Sequence, residues 1–217
     1  MGKNIILESK YDSVSGKVVR DIINLVKKTK DYPDDSMVQL YLPSDVTGYD
    51  EYEISKHNIT FSVEVNIQRL DNVMDFKVES FIINDEDILE FNITINPKKE
   101  PEVYRDLFMK LQEDVRHEIE HLLQEWGVGD RPSPSDEEHN GETTFEHHSR
   151  LQEIPAMVQG FYRKAKLERR SLDEIMTDDL DYEIEQGNLT KQEAEELLTL
   201  WTNYAKRRLP KALYRNE

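Results

Sequence analysis

The hydrophobic pattern of this chain changes period at Pro97, and that change limits what it can fold into. Before it, ITFSVEVNIQ (59–68) alternates without a break. Ile59, Phe61, Val63, Val65 and Ile67 point one way, and Thr60, Ser62, Glu64, Asn66 and Gln68 point the other. A strict period of two describes a strand with one buried and one wet face. MDFKVESFII (74–83) and ILEFNITIN (88–96) continue the pattern, and MVQLYLP (37–43) alternates Val38, Leu40 and Leu42 with other residues. The links at 70–73 and 84–87 are short and turn-like, so the spacing predicts an antiparallel meander. After Pro97, Tyr104, Leu107, Leu111, Val115, Ile119 and Leu122 recur at steps of three and four up to Trp126, which is the period of a helix.

Further helices are legible on both sides. Val18, Val19, Ile22, Ile23 and Val26 recur at helical spacing, with Ser13 or Ser15 as a candidate cap. Residues 44–55 read as a loop. The segment 127–144 is full of Gly, Pro, Ser and acidic residues; a connection that long is either a lid or disordered. A helical pattern then runs over 146–168, with Leu151, Ile154, Val158 and Phe161 as its stripe. Ser171 to Glu174 and Thr190 to Glu193 are capping-box signatures that open two more helices, closed by Gly187 and Pro210. The expectation is an α+β fold in a single domain over 1–217. Residues 1–98 would supply an N-terminal helix and an antiparallel β-sheet, and 99–217 a helical half.

Composition removes several function classes. There is no cysteine, so disulfides and thiolate metal sites are excluded, and a metal must be held by His, Asp or Glu. The formal net charge is −17, which repels phosphate backbones and argues against nucleic acid as the main partner. The start, MGKNIILESK, lacks the apolar run of a secretory leader, and no stretch approaches the roughly 18 apolar residues of a membrane span. The expectation is a cytoplasmic protein with no membrane partner.

The chemistry sits in VRHEIEHLLQ (115–124). On a helix, His117 and His121 lie one turn apart on one face and can offer two imidazoles to one ion. Glu118 is one residue on, about 100° around the helix, where its carboxylate can reach a water beside the ion without binding the ion. It can then take a proton from that water as it attacks a carbonyl. Leu111, Val115 and Leu122 share the face of Glu118, so a carboxylate interrupts an apolar stripe. The bland alternative is a surface helix with Glu118 at the margin of the core.

HEIEH at 117–121 resembles the HExxH signature of the zincin metallopeptidases. That resemblance implies a twisted sheet beside an active-site helix, a zinc ion, peptide substrates, and an edge strand that pairs with extended substrate. The metzincin extension needs Gly at 124 and His at 127, where this chain has Gln124 and Gly127. What remains resembles the gluzincin group, in which a glutamate on a later helix is the third ligand. Glu153, 32 residues after His121, is the candidate, with the small residues Ala156 and Gly160 at helical steps from it. Its alternative role is a local ion pair with Arg150. His147 and His148 stand next in line, as an alternative ligand or as a stabiliser of the oxyanion. His57 and His139 read as structural or solvated. RHEIEHLLQ and EIPAMVQGFY also resemble stretches of small uncharacterised metallopeptidases of tailed bacteriophages, which makes association with a virus particle a further implication.

The reading is therefore a zinc-dependent metallopeptidase. One rival is a non-enzymatic structural or assembly protein, of a phage particle for example, with an accidental or vestigial HExxH. Another is a metal-dependent amidohydrolase acting on something other than protein.

Overall fold

The N-terminal helix α1 (Lys3–Lys28) is longer than its apolar spacing alone predicts. Ser13 and Ser15 lie inside it rather than at its cap, and the buried Ser15 turns its hydroxyl back to the Asp12 carbonyl. The structure is a computed structural model that describes residues 3–31, 37–43, 51–83, 86–128, 142–210 and 212. Five strands follow α1: β1 (Val38–Leu42), β2 (Tyr52–Ile54), β3 (Ile59–Arg69), β4 (Phe76–Ile83) and β5 (Ile88–Ile95). Five more helices come after a short 3-10 turn at Pro97–Lys99: α2 (Tyr104–Glu125), α3 (Thr144–His148), α4 (Glu153–Glu168), α5 (Leu172–Glu185) and α6 (Lys191–Arg208). The fold is α+β, with six helices and a mixed sheet among the described residues. The predicted loop at 44–55 contains β2, which pairs antiparallel with the start of β3.

The sheet is not the predicted antiparallel meander. Its order is β1-β3-β5-β4, and β3 runs parallel to β5. The link 70–75 steps over one strand position. The turn before Ile88 then sends β5 back antiparallel to β4 and into the gap. Two strand spacings are only about 9–10 Å, well within reach of six residues. Alternation reads the same whichever neighbour a strand takes, so the sequence pattern could not choose between these orders. Nor is the second face of β3 wet throughout. Glu64 and Asn66 are each 9% exposed. Asn66 Nδ2 donates to Glu64 Oε1 and to Glu90 Oε1, both at 3.1 Å, and Gln39 Nε2 donates to Glu64 at 2.7 Å.

Contacts divide the chain into two compact units, 1–122 and 123–217, with the division inside the continuous helix α2. The core of the first combines Val18, Val19, Ile22 and Val26 of α1 with the inward residues of β3 and β5 and with Leu107, Leu111, Val115 and Ile119 of α2. Arg116 of α2 pairs with Glu120 of the same helix at 3.0 Å and lies over the Tyr11 ring of α1, and it is this ring contact that ties the two helices together. The core of the second gathers Val158, Phe161, Leu172, Met176, Leu197 and Trp201 from α4, α5 and α6. No described helix is long and apolar enough to cross a membrane.

The predicted helix over 146–168 is two helices. Thr143 caps α3 through a capping box with Glu146, and the chain turns at 149–152 before α4 begins. Glu153 is thus the first residue of α4. Pro155 falls in its first turn, where the missing N–H has no intrahelical partner to lose. Leu151 lies in the turn, 74% exposed, and leaves the stripe that Ile154, Val158 and Phe161 form. The capping boxes at Ser171–Glu174 and Thr190–Glu193 are present as read.

Candidate metal centre

Helix α2 carries HEIEH on its buried length. His121 is 7% exposed and Glu118 4% exposed, while His117 is partly open. The two imidazoles face each other: His121 Nε2 lies 3.0 Å from His117 Nε2, with the rings edge to face. Donors bound to one tetrahedral zinc at about 2.0–2.1 Å stand about 3.3 Å apart, so this pair is close to the separation that one ion requires.

Glu118 takes up the position that the apolar stripe predicts, beside the fully buried Leu111, Val115 and Leu122. It is not left without a donor. Ser80 Oγ of β4 donates to Glu118 Oε1 at 2.7 Å. Ser80 lies on the inward side of the sheet, in the register row Leu40, Val65, Phe91, Ser80. One turn before His117, Asp114 is buried and pairs with Lys110 at 2.8 Å. Burial pushes the Asp114 carboxyl up to about 6, against the opposing pull of Lys110; Glu113 adds to the rise.

The last turn of α2 ends at Gly127, whose φ of 60° is the left-handed conformation that glycine adopts without strain. Gly127 N bonds the Gln124 carbonyl and Val128 N bonds the Leu123 carbonyl, both at 3.0 Å, which satisfies two of the terminal acceptors of the helix. The buried Gln124, one turn after His121, donates through Nε2 to the Gln152 carbonyl at 2.8 Å. That bond seats the start of α4, and Glu153 is the next residue. Glu153 is 6% exposed, and as a carboxylate in a first helical turn it is favoured by the helix dipole. Arg150, its alternative partner, is paired instead with Glu142.

Among the described residues, His117, His121 and Glu153 form a group that could hold a metal ion. Each offers one ligand atom, and these atoms lie within 4.8 Å of one another. His147 Nε2 lies 3.6 Å from Glu153 Oε2, and its Nδ1 lies 3.6 Å from Glu142. His148 packs against Trp201, with ring centroids 6.0 Å apart, and its carbonyl accepts from Trp201 Nε1 at 3.3 Å. His57 accepts or donates at 2.8 Å with Tyr11, a structural pairing. His139 and residues 129–141 of the 127–144 segment lie outside the described residues.

Sequence reasoning missed Ser80 and Gln124. A serine in an alternating strand carries no sign of the helix beside it. A glutamine among many polar residues carries no sign of the carbonyl it reaches. No family model, curated protein or solved structure matches the chain.

Proposed function

We propose that this chain is a zinc-dependent metallopeptidase with a gluzincin-like ligand set. His117, His121 and Glu153 would hold the ion, and Glu118 would act as general base. The observation that carries the reading is the grouping of two imidazoles of α2 with the carboxylate at the start of α4, while α2 also presents Glu118 directly after the first histidine. Two neutral nitrogens and one oxygen form a donor set that suits zinc in a catalytic site, with a fourth position left for solvent or substrate. A bound zinc ion would supply Lewis acidity to a water and to the substrate carbonyl. Glu118, buried and anchored at one carboxylate oxygen, keeps its other oxygen to accept a proton and to pass it to the leaving amine. His147, beside Glu153 and half open to solvent, is the donor best placed to stabilise a developing oxyanion. The edge strand β4 has no strand on its outer side among the described residues, and extended substrate would add there as a further strand.

The test is zinc content and peptide cleavage in wild type and in Glu118→Gln. Glutamine keeps the volume and cannot take the proton. One zinc per chain should remain in the variant while cleavage falls by roughly 10²-fold or more. Full activity in Glu118→Gln would end this mechanism. Wild-type protein that binds no zinc and cleaves no peptide would favour the structural or assembly role.

A further inference from the structure

Strand β4 turns Val78, Ser80 and Ile82 to one face and Lys77, Glu79 and Phe81 to the other. Ser80 is thus a single hydroxyl between two apolar residues on the inward face, at the margin of a core row made by Leu40, Val65 and Phe91. Packing alone would place an apolar residue there. Its partner explains the hydroxyl, because Ser80 Oγ donates to Glu118 Oε1 at 2.7 Å. A carboxylate that is 4% exposed needs such a donor. The torsion that turns a glutamate carboxylate is broad and two-fold, so without an anchor the two oxygens sample many directions.

We propose that Ser80 is a positioning residue for the general base. It fixes Glu118 through Oε1 and leaves Oε2 directed to the water whose proton it takes. The inference rests on the reading of Glu118 as base, and it goes beyond that reading by assigning the base's orientation to the sheet. One consequence is that the strand offering its free edge to substrate also holds the base. Substrate register and base orientation are then set by one element.

The experiment compares wild type, Ser80→Ala and Ser80→Thr, each with zinc content, kcat and KM measured. The same proteins, zinc-free and with 13C-labelled glutamate side chains, report the Glu118 carboxyl resonance, assigned through Glu118→Gln. In Ser80→Ala, zinc stoichiometry should stay at the wild-type value and kcat should fall about three- to tenfold, the worth of one ordinary hydrogen bond. KM should stay within about twofold, since the interaction acts on the chemical step. Ser80→Thr, which restores the hydroxyl, should restore kcat. The Glu118 resonance should move in Ser80→Ala and return in Ser80→Thr. A raised KM with unchanged kcat would make Ser80 a substrate contact and overturn the proposal. So would a Glu118 resonance that ignores Ser80→Ala, whatever the activity. A zinc-loaded wild type that cleaves no peptide would defeat the peptidase reading and the role in catalysis with it. The carboxyl resonance would still report the tether, so the two failures are told apart.

Discussion

Asp114 sits one turn before His117 on α2, buried, with Lys110 as its counter-charge. Its carboxyl is pushed up to about 6, chiefly by burial. Folding therefore favours the protonated form. Its contribution is stabilising below the unfolded value near 4 and is lost as pH rises through about 6. Asp114→Asn, neutral at every pH, should be more stable than wild type at pH 7.5 by on the order of 2 kcal/mol. The difference should close by pH 4. Urea midpoints at the two pH values check this, and a difference independent of pH would contradict the burial argument. Glu153→Gln should behave otherwise. As loss of a ligand, it should weaken zinc binding by more than the roughly 10- to 100-fold that loss of an outer partner costs, with activity following. Competition with a chromophoric chelator reads the affinity. Wild-type affinity in this variant would move the third ligand to His147. HEIEH was legible because its spacing lies within one helical turn; Glu153 was read inside a pattern running over 146–168, and its place at the head of α4 was not legible. Nor were Ser80 and Gln124, because their roles depend on which element lies beside them.

At the scale of elements, the helices declare their ends and the strands do not declare their neighbours. Ser171 is 6% exposed and exchanges hydrogen bonds with Glu174 in a capping box, so α5 begins where the sequence says it does. Ser171→Ala should destabilise the fold by about 1 kcal/mol, read as a lower urea midpoint with unchanged slope. A neutral effect would mean that tertiary contacts with α4 and α6, not the cap, fix that end. The split of the predicted 146–168 helix into α3 and α4 was half visible. Pro155 marks a first turn, but four irregular residues at 149–152 leave no compositional trace. The sheet order was invisible, since a pattern of alternate burial fixes which face a residue takes and says nothing of the partner strand. Glu64 and Asn66 misled for a related reason: a polar row can be shielded by its own cross-strand bonds to Gln39 and Glu90.

At the scale of the molecule, each of the two units carries its own apolar core, one on the sheet with α1 and one among α4, α5 and α6. A metal ion is then not needed to hold either together. Chelation should abolish peptide cleavage while leaving the far-ultraviolet circular dichroism essentially unchanged. Loss of the helical signal on chelation would make the metal structural and remove the basis for a catalytic assignment. The slot that β5 occupies has a consequence in time as well as space. When β4 leaves the ribosome it has no partner, because β3 is two positions away and the strand between them has not been made. β4 can pair only once β5 has been made and the turn before Ile88 has closed, so these two strands should join the sheet together and late, after β3 has met β1 and β2. In pulsed hydrogen exchange during refolding, amides of β4 should gain protection with those of β5 and never ahead of them. Until then the strand that carries Ser80 is an unpaired edge, and the nascent chain is at its most prone to aggregate in that interval.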